Sequence, residues 1–192
     1  MEVITIEQLR AELSEYKDPD AEIDRMRKNH DLFCICDDLY TRDKSMIKDA
    51  VSNLICEPSY VSFEDALSRY DLIPEYVPVC SAATYGKRKS IRYKNDLGYY
   101  NFTNIPKEAF PYGVEVYEYG GFSWKMATPE KAICDLLYTR NPLKDADDVK
   151  GFLIEGMRIE EEDFKNLDKE KMYLLAGFYD HINMKMLREA LS

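Results

Sequence analysis

Two prolines, Pro58 and Pro74, bracket the stretch E-P-S-Y-V-S-F-E-D-A-L-S-R-Y-D-L-I-P-E, from Glu57 to Glu75. Nowhere else in the chain do local signals agree so closely. Ser62 can cap a helix, and Asp65 three residues on completes a capping box. Phe63, Ala66, Leu67 and Tyr70 recur at helical spacing and form one apolar stripe, which predicts a helix of about ten residues. A shorter helical run, Met46 to Ile55, precedes it, and from Tyr76 to Ala83 the chain turns apolar and β-branched. The stretch is therefore expected to be a connecting helix, the hinge between two halves, whose side chains pack and do not catalyse.

With 192 residues and 45 % apolar content the chain can bury a sizeable core, as one large domain or two small ones. Its net charge of -10 repels nucleic acid and anionic membranes as a whole, so any contact with DNA has to come from a local patch. Cys34, Cys36, Cys56, Cys80 and Cys134 form an odd set without a C-x-x-C spacing, and no signal peptide is recognised before them. They are expected to be reduced, mostly buried thiols of a cytoplasmic protein. Cys34 and Cys36 share one face of a strand, but the two distant histidines, His30 and His181, supply no partners, and no metal site is expected. No stretch reaches the roughly 18 apolar residues of a membrane span.

Thr5 is a candidate N-cap with Gln8 at the capping-box position, opening a helix with Ile6, Leu9 and Leu13 on one side and an end near Tyr16. Asp18-Pro19-Asp20 forms a turn that starts a second helix, Ala21 to about Asn29. Leu32 to Cys36 reads as a strand, Asp37-Asp38 as a tight turn and Leu39 to Thr41 as its return. Helix, turn, helix and hairpin is the order of a winged helix-turn-helix, in which the second helix enters the major groove. Arg25, Arg27, Lys28 and Asn29 are then candidates for DNA contact, with Arg42 and Lys44 at the wing edge. Asp18, Asp20, Glu22 and Asp24 crowd the opposite end of that helix, where acids stabilise the helix dipole whether or not DNA is bound.

Beyond Tyr76 the period becomes that of strands: Val77 to Cys80, Ser90 to Tyr93, Tyr99 to Thr103 and Val114 to Tyr119, which together predict an antiparallel sheet. Between the first strands lies K-R-K-S-I-R-Y-K, Lys87 to Lys94, the only concentrated positive charge in the chain, interleaved with tyrosines. Three roles remain open for it: a solvated sheet edge kept soluble by its cations, a docking surface for an acidic protein, or a phosphate and stacking surface for nucleic acid. Lys87, Arg88, Lys89 and Arg92 are the candidate partner-binding residues. Gly120-Gly121 marks a turn before a short strand, Phe122 to Trp124. Met126 to Ala132 then opens a helix with Thr128 as N-cap and Pro129 at its first position. The remainder is helical and acidic and ends in a helix from Asn183 to Leu191. The fold class is accordingly α+β. There is no G-x-S-x-G, P-loop, G-x-G-x-x-G or H-E-x-x-H, so no catalytic residue, no enzymatic activity and no cofactor is expected.

Two blocks, E-P-S-Y-V-S-F-E-D-A-L-S-R-Y-D-L-I-P-E and, some fifty residues later, A-T-P-E-K-A-I-C-D-L-L-Y, resemble the AbiEi-like family of antitoxins and predicted transcriptional regulators of viral-defence systems. The likeness continues more weakly through Ile159 to Asp168 and the last helices. It implies a winged helix-turn-helix over residues 1–45, with Ala21 to Asn29 as recognition helix and Phe33 to Thr41 as wing, and an α+β antitoxin domain over 46–192. In that family the first part represses its own operon at inverted repeats. The second counteracts a partner toxin resembling a nucleotidyltransferase, the type IV toxin–antitoxin arrangement of abortive infection and phage defence. Members usually carry a further helix before the one at Thr5 and a wing rich in Arg and Gly. Here Met1 to Ile4 precede Thr5 and the wing turn is Asp37-Asp38. The expected partners are operator DNA and a toxin or other protein, with no membrane and with self-association left open. The competing expectation is an interaction module of the same family that has lost DNA binding.

Overall fold

The computed structural model describes residues 2–75 and 77–192. Tyr76, where the strand-like region was expected to begin, lies outside them. The first segments are β1 (Ile4–Thr5), α1 (Ile6–Glu12), α2 (Pro19–Lys28), β2 (Phe33–Cys36) and β3 (Leu39–Thr41). Local chemistry sets these elements. The Thr5 hydroxyl accepts from Gln8 N at 3.2 Å while Gln8 Oε1 accepts from Thr5 N at 2.8 Å, so the capping box forms as read. The Asp18 carboxylate accepts from Ala21 N at 3.0 Å and places Pro19 at the first helical position, two residues before the expected start. The first helix ends at Glu12, a turn short of Tyr16. The strands pair antiparallel in the order β1-β3-β2, and Ile4, Leu9, Leu13, Ile23, Leu32 and Tyr40 form their own small core. We call this region the head.

The rest, the body, continues with α3 (Lys48–Ile55), β4 (Ser59–Val61), α4 (Phe63–Arg69), β5 (Val79–Thr84), β6 (Ile91–Asn95), β7 (Gly98–Asn104), β8 (Val114–Tyr119) and β9 (Phe122–Ala127). Then come α5 (Pro129–Tyr138), α6 (Ala146–Gly151) leading into a π-helical turn (Phe152–Gly156), α7 (Glu161–Asn166), α8 (Lys169–Ala176) and α9 (Ile182–Leu191). The fold is α+β, with one six-stranded sheet in the order β6-β7-β5-β4-β9-β8. This sheet is mixed, not antiparallel as expected: β5 pairs parallel with β7, and β4 parallel with β9. The antiparallel pairs β6/β7 and β8/β9 follow from tight turns, the second made by Gly120 and Gly121 at φ 59° and 85°. The parallel pairs require the chain to leave and return, which alternation along a single strand cannot encode.

The stretch from Glu57 to Glu75 is no hinge. Its residues Ser59 to Val61 form β4, which sits inside the sheet between β5 and β9, and α4 packs against α5 and β5. Phe63, Ala66 and Leu67 are buried as the stripe predicts. The capping box there is absent. Phe63 has φ 58°, a left-handed entry into the helix that is strained for a bulky residue. Ser62 makes no capping bond, and its hydroxyl donates to Asp135 Oδ2 at 2.8 Å. Asp65 instead accepts from Ser81 N at 3.3 Å. Thr128 stands at the N-cap position of α5 with Pro129 behind it, but its hydroxyl caps nothing, and Met126 and Ala127 belong to β9 and not to the helix. Among the described residues no helix is long and apolar enough to cross a membrane.

Candidate functional site

Each arginine of the head meets a carboxylate of its own chain. Arg10 pairs with Asp20 at 2.8 Å, and Arg42 with Glu12 at 2.7 Å. Arg25 holds Glu22 with two hydrogen bonds, at 2.8 and 2.5 Å, and that pairing keeps the Glu22 carboxyl below its ordinary range. Arg27 reaches Asp96 of the body at 3.4 Å, while its Nε is buried without a partner. Lys28 and Asn29 are exposed at the C-terminal end of α2, and Asn29 is its C-cap. Lys44 lies 6.0 Å from the Phe33 ring. α2 is thus divided along its length, with acids in its first turn and bases in its last, as the dipole favours.

The basic stretch of the body is built differently. β6 forms one edge of the six-stranded sheet. Ile91 and Tyr93 pair with Phe102 and Tyr100 on the core side, whereas Arg92 and Lys94 pair with Asn101 and Tyr99 on the opposite, open side. Arg88, Lys89, Arg92 and Lys94 are exposed, and among the described residues none of them forms an ion pair. Lys94 Nζ lies 5.2 Å from the ring of Tyr99, itself 52 % exposed, so a cation and an aromatic face are presented side by side. Lys87 stands apart from the other three candidates. Its ammonium donates to the Glu57 carbonyl at 2.9 Å and its N–H to Asn104 Oδ1 at 2.9 Å, so it ties the turn to the sheet. The strand also joins head to body: Asn95 donates to the Ile35 carbonyl at 2.8 Å, and Asp96 accepts from Cys34 N at 2.8 Å beside Arg27. The exposed bases of β6 therefore begin where the C-terminal half of α2 is docked.

Two buried polar clusters escaped the sequence reading. In the first, Lys131 and Asp135, one turn apart on α5 and each 0 % exposed, pair at 3.1 Å. Lys131 also donates to the Ala109 carbonyl at 2.9 Å and contacts the Tyr179 hydroxyl. Asp135 accepts from Tyr60 at 2.9 Å, Ser62 at 2.8 Å and Tyr179 at 2.6 Å. Burial and the neighbouring Asp135 push both phenols well above their ordinary range, so they remain donors. Every partner is internal, so this cluster ties α5 to Tyr60 and Ser62, to the Ala109 carbonyl and to Tyr179. The signal available in sequence was a Lys and an Asp four residues apart on a helix whose neighbouring positions are apolar.

In the second cluster Asp49 of α3, Asp65 of α4 and Cys80 of β5 converge, with donor atoms within 4.8 Å of one another and all three residues buried. Arg69 reaches Asp49 at 2.8 Å and Asp65 at 3.7 Å. Desolvation, then the Asp49 charge, raises the Asp65 carboxyl to about 6. Burial pushes the Cys80 thiol up. All five cysteines are free, with Cys56, Cys80 and Cys134 buried and Cys34 and Cys36 partly so. No family model matches the chain, and no curated protein matches it either.

Proposed function

We propose that this protein is a non-enzymatic antitoxin and autorepressor of a type IV toxin–antitoxin operon of phage defence, with the head acting as a winged helix-turn-helix. The observation that carries this reading is the set of exposed cations without an ion pair, Arg88 and Lys89 in the turn before β6 and Arg92 and Lys94 on that edge strand, in a molecule with net charge -10. Exposed cations without internal partners are free to neutralise an acidic surface and to speed encounter with it. The helix–helix–hairpin order of the head, closed by β1 into a three-stranded sheet, supports α2 as the recognition helix and β2–β3 as the wing. DNA contact would then run through Lys28 and Asn29 directly. Arg25, Arg27 and Arg42 would exchange Glu22, Asp96 and Glu12 for phosphates.

Reversing Arg88, Lys89 and Arg92 to glutamate should abolish toxin neutralisation in a growth-rescue assay while leaving the circular-dichroism spectrum unchanged. Full rescue by the folded variant would remove that surface from the proposal. A second reading, an interaction module without DNA binding, is favoured by one specific observation: every head arginine is already held by an internal carboxylate. A gel shift on the upstream region of the protein's own operon, at two salt concentrations, separates the two. Specific retention that weakens with salt supports the repressor, and no retention at low salt leaves the interaction module.

A further inference from the structure

We propose that Asp49, Asp65 and Cys80 form a structural site for a divalent metal of zinc type, pinning α3 and α4 to the start of β5. The three ligands come from three separate elements, are 3 %, 2 % and 2 % exposed, and already bring their donor atoms within 4.8 Å of one another. Zinc takes carboxylate oxygen and thiolate sulfur at roughly 2.0–2.3 Å, which places neighbouring ligand atoms of one ion about 3–4 Å apart, near the separation already present. One thiolate with two carboxylates suits a borderline-soft ion that accepts mixed sulfur and oxygen ligands.

An independent observation points the same way. Tyr100 is 1 % exposed and its hydroxyl has no hydrogen-bond partner. In the parallel register Tyr100 lies directly beside Cys80 on the same sheet face. A buried orphan hydroxyl beside three convergent donors is the arrangement expected around a missing fourth partner. Charge agrees. Two buried carboxylates meet a single guanidinium, Arg69, whose side chain is 43 % exposed. On binding, the Cys80 S–H proton passes to solvent and the sulfur donates its pair to the ion. The three anionic ligands then balance the dication together with Arg69, which keeps its hydrogen bond to Asp49 and its ion pair with Asp65. With all three ligands buried, such a site holds structure.

Titrating the full-length, metal-stripped protein with Co2+ tests this site independently of the antitoxin reading. The expected result is a thiolate-to-cobalt absorption band saturating at one equivalent, lost in Cys80→Ser and retained in Cys56→Ser. At about a hundredfold excess of Zn2+ over Kd, the midpoint of thermal unfolding should rise by about 5–10 °C. If the folded wild-type protein shows no sulfur band, or if the band survives in Cys80→Ser, the proposal fails. If Cys80→Ser does not fold, Asp49→Asn decides: at least tenfold weaker cobalt binding supports the site, and unchanged affinity overturns it.

Discussion

In the head, four arginines are each held by a carboxylate of their own chain, whereas on β6 of the body and in the turn before it four cations stand at the surface without one. The interiors differ in the opposite sense. Six apolar residues fill the head's core, while the body buries Lys131 with Asp135 and Asp49 with Asp65. The comparison separates two uses of charge. An exposed pair is worth little to folding and mainly sets what the surface can attract. A buried pair desolvates both partners and is expensive to break on one side only.

The largest expected effect tests the interior half of this contrast. Lys131→Ala leaves Asp135 buried without its cation and should lower stability by about 3–5 kcal/mol in urea denaturation. A loss near zero would mean that the Tyr60, Ser62 and Tyr179 hydroxyls suffice and that the body's charged core is dispensable. Next, Leu67→Ala truncates a fully buried side chain of α4 and should cost about 2–5 kcal/mol. Since α4 lies in the body and not between two halves, that loss should appear in one cooperative transition of the body. A change confined to the head would restore the hinge.

A matched pair of smaller substitutions sharpens the comparison at two helix starts. Ser62→Ala removes a hydrogen bond to a buried carboxylate and should cost about 1.5–3 kcal/mol. Thr5→Ala removes an exposed cap and should cost about 0.5–2 kcal/mol. The reverse ranking would show that Ser62 acts as a cap after all. The smallest effect is expected from Arg42→Gln, which breaks the exposed pair with Glu12 and should leave the unfolding midpoint unmoved. A clear drop would mean that the head's ion pairs hold its fold and are unavailable for exchange with phosphate.

Much of the head was legible because its signals are local. The Thr5–Gln8 box, the Asp18-Pro19 helix start and the Asp37-Asp38 hairpin turn each act over two or three residues and recur in place. The same grammar misled at Ser62. Its hydroxyl has a choice between a helix N–H three residues away and a buried carboxylate 73 positions away, and the second wins because an unsatisfied anion in the core costs more than an uncapped helix end. The surface candidates were visible as residue types, but their availability was not. Lys87 and Arg88 are neighbours of equal charge in sequence, and only the fold ties one to the Glu57 carbonyl and leaves the other free.

The sequence by itself determined the α+β class, the positions of most helices and strands, the apolar stripe of α4 and the location of the one basic run. Each of these depends on periodicity or on contacts within a few residues. Tertiary structure alone decided the strand order β6-β7-β5-β4-β9-β8, the central place of Ser59 to Val61, and the meeting of Tyr60 with Asp135 across 75 positions. It also decided that Asp49, Asp65 and Cys80 share one buried site. The reason is physical: strand pairing and the desolvation of charge are settled by which distant segments exclude water together, and no local pattern records that choice.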